Sequence, residues 1–132
     1  MECSYWILGV VLVLGLRYIL LIVLVLCTKL TVIKDTISGH PNCTYYGCDL
    51  VDVVDKEAMP KQFTFTIGNV VEGLPYEDNT FDFVHMRLLV LSLREEEWPL
   101  AVKEAVRVAK PGGYLQFVES SGDVSTLYIL FN

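Results

Sequence analysis

An apolar run near the N-terminus, residues 5–27, constrains the fold of this chain more than any other feature of its sequence. The run has 23 residues, of which sixteen are Leu, Ile or Val, and Arg17 is its only charged residue. About 20 apolar residues suffice to cross a bilayer, and the cost of one central arginine is smaller than the contribution of so many aliphatic side chains. The run therefore predicts a transmembrane helix within an N-terminal segment of residues 1–30.

The residues that flank the run predict its orientation in a membrane. Tyr5 and Trp6 at its start are typical of a membrane interface, and Lys29 and Lys34 follow its end, whereas only Glu2 and the amino terminus precede it. Because positive residues favour the cytosolic side, we expect a single-pass protein whose C-terminal part is cytosolic. A cleaved signal peptide fits less well, since no basic segment precedes the run and no small-residue cleavage site follows it.

Composition narrows the possible partners of the remaining residues, 31–132, which have the length of one domain. The net charge is −6 and the basic residues form no cluster, so nucleic-acid binding is not expected. A small molecule or a protein is the more reasonable partner. The few cysteines and histidines lack the spacing of a zinc site, so we expect reduced thiols and no metal. These residues are Cys3, Cys27, Cys43, Cys48, His40 and His85.

Short strand patterns alternate with loops after the apolar run and predict an α/β domain. The segments 44–50, 63–69 and 81–86 are apolar or alternate in period two, and turn residues separate them. A helix follows: Pro99 suits its first turn, and Trp98, Val102, Ala105 and Ala109 share one face. Residues 111–113, Pro-Gly-Gly, end the helix, and a further strand at 114–119 completes a parallel strand-helix-strand unit.

Three of these segments resemble the class I S-adenosylmethionine-dependent methyltransferases, in particular the type 11 kind. They are "YYGCDL", "IGNVVEGLPYEDNTFDFV" and "RVAKPGGYLQFVE", and the resemblance runs from about residue 40 to residue 119. It implies an incomplete Rossmann-like sheet of mostly parallel strands with helices, following the predicted membrane helix. It also implies S-adenosylmethionine as the cofactor and methyl transfer to a small molecule as the activity. The apolar run would attach such an enzyme to a membrane.

The resemblance implies roles for four residues. Asp49, at the end of the second strand of the family, would accept hydrogen bonds from the ribose hydroxyls of the cofactor. Asn69 and the backbone N–H of Val70 would recognise the adenine, with Asn69 in place of the more usual aspartate. His85 would lie towards the reactive end of the cofactor. No catalytic residue is implied, because such enzymes act mainly by holding the methyl group and the nucleophile in line.

Each of these residues also has a structural interpretation. Asp49 could cap the loop after its strand, Asn69 could be a turn residue after Gly68, and His85 could be a structural histidine beside an apolar strand. Taken alone, the first and the last of these interpretations are favoured over a binding role. Only the arrangement of the motifs as a set favours cofactor binding.

The glycine-rich loop that follows the first strand of the family has no counterpart at the expected place. Counting back without gaps from the second strand puts the first strand at residues 18–26 and the loop at residues 26–30, where no glycine occurs. Side chains there would hinder close approach of the backbone to a cofactor, so the site is expected to be degraded. Residues 18–26 suit either a buried strand or the membrane helix.

The missing loop leaves two further functions open besides a membrane-anchored methyltransferase. One is a non-catalytic relative that is tethered to the membrane and is a partner of a complete methyltransferase. The other is a truncated remnant that folds poorly, because the chain is expected to end before the last two strands of the family.

Overall fold

A computed structural model describes residues 3–9, 38–39, 42–50, 52, 55–87, 89, 92–121 and 123–130. These residues form one six-stranded sheet and an α-helix. The strands are β1 (Cys3–Gly9), β2 (Cys43–Asp49), β3 (Phe63–Ile67), β4 (Phe81–Arg87), β5 (Ala109–Ser121) and β6 (Asp123–Leu130), and the helix α1 is Trp98–Val108. Two short 3-10 turns, Lys56–Ala58 and Glu95–Glu97, precede β3 and α1.

The strand order is β3-β2-β1-β4-β5-β6. Strands β1 to β5 pair in parallel, and β6 lies antiparallel to β5 at one end of the sheet. The prediction of an α/β domain with mostly parallel strands is therefore confirmed, as are the strand-helix-strand unit and the positions of β2, β3 and β4. Strand β6 lies beyond residues 114–119, the last element predicted from the sequence.

The central position of the sheet is filled by β1, which pairs with β2 on one side and β4 on the other. This corrects the gapless count, which put the central strand at residues 18–26. The structure also places residues 5–9, the start of the predicted membrane helix, in a strand. A strand buried in a parallel sheet and a membrane helix are both almost wholly apolar, so hydropathy could not distinguish them here.

The rest of the apolar run, residues 10–27, lies outside the described residues. So do residues 18–26, where the count put the first strand, and residues 26–30, where it put the glycine-rich loop. None of the helices among the described residues is long and apolar enough to span a membrane. The predicted division into residues 1–30 and 31–132 stays a prediction. Within its first part, residues 3–9 form β1 and belong to the sheet.

Helix α1 packs against β4 and β5 and forms the main core with them. Its buried side chains are Ala101, Ala105 and Val108, which pack with Val84, Met86, Leu115 and Phe117 of the strands. Trp98 and Val102, predicted to lie on the buried face, are only partly buried at its margin. Small alanines on this face allow the helix to lie close to the sheet, because they leave the larger strand side chains to fill the space between them.

Two cysteines of β2 differ in their chemistry. Cys43 is disulfide-bonded, which corrects the expectation of reduced thiols throughout, and its partner is not among the described side chains. Cys48 is a buried free thiol. Burial and the adjacent charge of Asp49 raise the pKa of Cys48 to about 12, so this thiol stays protonated at neutral pH and is not a nucleophile.

Gly113 lies near the start of β5, where this strand begins to pair with β4, and leaves no room for a larger side chain. A Cβ atom at this position would lie 2.9 Å from the backbone oxygens of both Asp82 and Lys110. Because neither backbone can move away freely, we expect Gly113→Ala to lower the free energy of unfolding by about 1–3 kcal/mol, measured by urea denaturation. Gly39→Ala is the control, since an added methyl there meets no atom of the described residues within 4 Å. Equal stability of the two variants would contradict the prediction.

Candidate active site

The strand register brings the predicted binding residues to one edge of the sheet. Gly9 pairs with Arg87, and Asp49 pairs with Ile67, so the carboxyl ends of β1, β2, β3 and β4 lie side by side. The chain runs from β1 outwards to β2 and β3, and β4 and β5 continue on the other side of β1. This reversal of strand order is the switch point at which open α/β sheets bind ligands.

Asp49 is the last residue of β2 and is 5% exposed. Its Oδ1 accepts a hydrogen bond of 2.7 Å from the backbone N–H of Leu50, and its carbonyl oxygen accepts one of 2.9 Å from Gly68. The first of these hydrogen bonds shows that Asp49 caps the start of the loop after β2, as the structural interpretation predicted. A carboxylate has about four acceptor positions, so the hydrogen bond from Leu50 does not by itself exclude a ligand.

Gly68 connects the backbone of Asp49 to the turn that contains the other two predicted residues. Its N–H binds Asp49, and a Cβ atom at Gly68 would lie 2.8 Å from the sulfur of Cys48. No larger residue could follow β3 so closely without displacing the end of β2. The turn of residues 69–73 is thereby held against the end of the strand that carries Asp49.

Asn69 and Val70 differ in how their polar groups are used. The side-chain Oδ1 of Asn69 accepts from the Val71 N–H at 3.0 Å, and its backbone oxygen accepts from the N–H groups of Glu72 and Gly73. Asn69 is therefore a turn residue, as the structural interpretation required, and its Oδ1 retains a second lone pair. The Val70 side chain is buried. Within the described part of the chain, the Val70 N–H donates no hydrogen bond.

His85 lies in β4 and is separated from β2 by the central strand. It is in register with Ile7 of β1 and Gln116 of β5, and its Nδ1 is 2.8 Å from the Gln116 Oε1. Its ring is parallel to that of Phe83, with 6.4 Å between the ring centroids. Because an amide oxygen only accepts, this hydrogen bond requires the His85 tautomer that carries its hydrogen on Nδ1. His85 lies two residues before the end of β4, whereas Asp49 is the last residue of β2. His85 is therefore farther from the carboxyl edge of the sheet than Asp49.

The sheet thus places Asp49, Asn69 and Val70 together and His85 apart from them. The roles implied for all four by the resemblance stay predictions. The count that put the glycine-rich loop at residues 26–30 is corrected by the position of β1, because the central strand ends at Gly9. The absence of glycine from residues 26–30 therefore says nothing about that loop.

Sequence reasoning missed two residues that shape this site from helix α1. Glu104 Oε1 accepts a 2.6 Å hydrogen bond from the N–H of Leu74, which follows the turn of residues 69–73. Arg107 donates to the backbone oxygens of Leu74 and Tyr76 at 3.2 and 2.9 Å. The spacing of an acid and a base three residues apart on a helix was the available signal, but it is typical of any surface ion pair.

These contacts lower the pKa of the Glu104 carboxyl group. The hydrogen bond from Arg107 is the main cause that lowers the pKa of Glu104 below its ordinary value of 4.5. The hydrogen bond from Leu74 and the charges of Arg107 and Lys103 act in the same direction, while burial opposes them. The Glu104 carboxylate is therefore the favoured form in the folded protein.

Stability is expected to depend on pH through Glu104. Since its folded pKa is below its unfolded pKa, its contribution is complete above about pH 4.5 and is lost as the pH falls through the folded value. Urea denaturation at several pH values should show Glu104→Gln destabilised at neutral pH and closer to the wild type in acid. Glu96→Gln, which removes the same charge at an exposed position, serves as the control. A difference between Glu104→Gln and the wild type that does not change with pH would contradict this.

A surface pocket of about 300 Å³ lies at the opposite, amino edge of β4 and β5. It is lined by Asp82, Phe83 and the segment from Lys110 to Tyr114. Lys110 Nζ lies 3.0 Å from both carboxylate oxygens of Asp82, so the charges that face this pocket neutralise each other. The pocket is on the wrong edge of the sheet to belong to the site at Asp49.

Known proteins share both the sequence motifs and the fold. The model of the methyltransferase domain family matches residues 32–117. The secondary metabolism regulator laeA of Coprinopsis cinerea is 31% identical over 87 residues, which are 66% of this chain and 21% of that protein. A demethylmenaquinone methyltransferase of Bacillus mycoides is 41% identical over 61 residues, 46% of this chain and 24% of that protein.

The solved structure of an S-adenosylmethionine-dependent methyltransferase from Methanosarcina mazei superposes with a TM-score of 0.56 at 23% identity. The superposition covers 89% of this chain and 52% of that one. By comparison, the chain spans between about a fifth and a third of the length of the curated relatives that it matches. The family match extends over well over half of the chain and agrees with the observed sheet. The chain therefore belongs to the methyltransferase domain family of class I S-adenosylmethionine-dependent methyltransferases.

Proposed function

We propose that this chain binds S-adenosylmethionine at the carboxyl edge of its sheet and is part of an enzyme that methylates a small molecule. The observation that supports this best is the position of Asp49, a buried carboxylate at the end of β2, joined through Gly68 to the turn with the Val70 N–H. An acceptor for hydroxyl groups and a donor for a base are what a nucleoside requires, and here they share one edge.

The residues of this edge would divide the recognition of the cofactor between them. Asp49 would accept hydrogen bonds from the two ribose hydroxyls, while the Val70 N–H would donate to a ring nitrogen of the adenine. Asn69 would accept from the exocyclic amine through the second lone pair of Oδ1, because its first is used by Val71. His85, lower in β4, would face the methionine half of the cofactor.

When bound, S-adenosylmethionine supplies a methyl group on a positively charged sulfur, and S-adenosylhomocysteine remains after the transfer. The protein would need only to hold this group in line with a nucleophile and to exclude water, so no general base is required in principle. The acceptor is proposed to be a small molecule, as the name of the demethylmenaquinone methyltransferase indicates for that relative.

Calorimetric titration of the folded chain with S-adenosylhomocysteine tests the proposal. We expect saturable binding that adenosine retains in part and methionine alone does not, because the residues at this edge recognise the nucleoside half. Circular dichroism during heating establishes that the sample unfolds cooperatively and is therefore folded at the start. A cooperatively folded chain that binds neither S-adenosylhomocysteine nor adenosine would refute the proposed function.

Membrane attachment with a cytosolic domain also stays a proposal. It is supported by the apolar composition of residues 10–27 and by Lys29 and Lys34 beyond them. It competes with the sheet described above, because a single-pass span over residues 10–27 would put β1 and β2 on opposite sides of the membrane, and β1 would have to leave the sheet. Retention in the membrane fraction after alkaline carbonate extraction would support it, and release into the supernatant would refute it. Co-purification of a complete methyltransferase would favour the tethered, non-catalytic partner instead.

A further inference from the structure

The turn that carries Asn69 and Val70 is held from outside at Gly68 before it, at Leu74 after it, and by the buried side chain of Val70. Within residues 69–73 the hydrogen bonds are mostly internal: Asn69 accepts from Val71, Glu72 and Gly73. Such a turn is rigid in itself, but its direction depends on what holds its two ends. The Gly68 N–H bond to Asp49 fixes the first end, and Leu74 follows directly after the second.

Both backbone polar groups of Leu74 are held by the same pair of side chains on helix α1. Glu104 Oε1 accepts from the Leu74 N–H at 2.6 Å, and Arg107 Nη2 donates to the Leu74 oxygen at 3.2 Å. The Leu74 side chain is buried in the core, as is that of Val70. Leu74 is thus fixed by its apolar side chain and by both of its backbone groups. Because the turn of residues 69–73 leads directly into Leu74, the position of its second end is fixed as well.

Glu104 and Arg107 also hold each other in a two-point contact. Arg107 Nε donates to Oε2 of Glu104 at 2.9 Å, and Nη2 donates to Oε1 at 2.5 Å. The side chains are 15% and 31% exposed, so water screens this pair less than it would an ion pair on the open surface. The fork of the guanidinium directs its remaining N–H groups at the loop, which a lysine could not do at several atoms together.

The same helix fixes the rest of the loop beyond Leu74. Arg107 Nη1 donates to the Tyr76 oxygen and to the Asp78 carboxylate, at 2.9 and 2.7 Å. The N–H groups of Asn79 and Thr80 then bind the backbone oxygens of Arg107 and Val108, both at 2.9 Å. The end of helix α1 therefore satisfies its carbonyl groups with the loop, and the loop has no independent freedom to tilt.

From this geometry we infer that Glu104 and Arg107 are positioning residues for nucleoside recognition, which set the direction of the Val70 N–H without touching the ligand. The inference rests on the proposed function, because it concerns the adenine part of that site. Loss of the pair would leave the core of α1 in place, since Ala101, Ala105 and Val108 form it. Its effect should fall on ligand affinity and on the mobility of residues 69–76.

Calorimetry with S-adenosylhomocysteine on the full chain tests the inference in conservative variants. We expect Glu104→Gln and Arg107→Lys to raise the dissociation constant by about tenfold, because each removes or weakens contacts with the backbone of Leu74. Asp78→Asn, at an exposed contact of Arg107, should raise it less. Glu96→Gln, at an exposed position on the preceding turn, should leave it unchanged.

Amide hydrogen exchange adds a readout that does not require a ligand and remains usable if one variant is unstable. In Glu104→Gln and in Asp78→Asn, exchange in residues 69–76 should become faster, while exchange in β4 stays as in the wild type. Wild-type affinity and wild-type exchange in folded Glu104→Gln would overturn the inference and leave the proposed function standing. A folded wild-type chain that binds no ligand would instead overturn the proposed function, and the inference with it.

Discussion

Asp49→Ala is expected to weaken the binding of S-adenosylhomocysteine by about a hundredfold or more. Two ribose hydroxyls would each lose a charged acceptor, and hydrogen bonds to a charged group are worth about 1.5–3 kcal/mol each. Since Asp49 is 5% exposed, water could not replace the carboxylate without rearrangement of the end of β2. Calorimetric titration of the variant beside the wild type measures the change.

Two further substitutions separate this role of Asp49 from its part in the fold. Asp49→Asn keeps an oxygen that can accept from the Leu50 N–H, so its stability should approach that of the wild type while its affinity falls. Asp52→Ala removes an exposed acid a few residues later and should change neither property. Equal affinities for Asp49→Ala and Asp52→Ala in folded protein would contradict a ribose-binding role.

The local strand patterns were the part of the fold that the sequence could predict. Strand β3, with its period-two alternation, and β4, bounded by turn residues, depend on neighbouring residues that the sequence displays directly. The same is true of Asp49, because an acidic residue that follows a buried strand must lie at the carboxyl edge of a parallel sheet. The part of Asp49 in cofactor binding stays a prediction.

The central strand could not be located in this way. Residues 5–27 are apolar except for Arg17 and give no marker near β1, and a buried strand has no polar face that would set its register or its ends. Counting back from β2 assumed a connection of fixed length, whereas the structure puts β1 at Cys3–Gly9, more than thirty residues before Cys43. A sequence without an internal marker could not reveal so long a connection.

The contacts of Glu104 and Arg107 were invisible for a different reason. Their partners, Leu74 and Tyr76, lie about thirty positions earlier in the chain and contribute backbone groups, which have no signature in the sequence. On the helix alone the two residues form an ordinary i, i+3 ion pair. Only the topology, which brings the loop before β4 against the helix after it, gives that pair a place in the site.

Phe81→Ala is expected to be the most destabilising of the substitutions considered. Phe81 begins β4 and is fully buried, and its ring lies 5.0 Å from that of Tyr76 and 5.5 Å from that of Tyr46, centroid to centroid. Removal of a buried phenylalanine costs about 3–5 kcal/mol, a large fraction of the 5–15 kcal/mol that stabilises a domain in general. Urea denaturation followed by far-ultraviolet circular dichroism measures the loss.

The matched control is Tyr114→Ala, which removes a ring that is 53% exposed on β5 and should change stability by about 0.5 kcal/mol or less. If Phe81→Ala does not fold, Phe81→Leu should still fold with a smaller loss, because an aliphatic side chain fills part of the space. Similar losses in Phe81→Leu and Tyr114→Ala would contradict the prediction.

Since Tyr76 belongs to the loop and Tyr46 to β2, Phe81 joins the strand that carries Asp49 to the segment that follows Val70. Phe81→Leu should therefore also weaken nucleoside binding, which Tyr114→Ala should not.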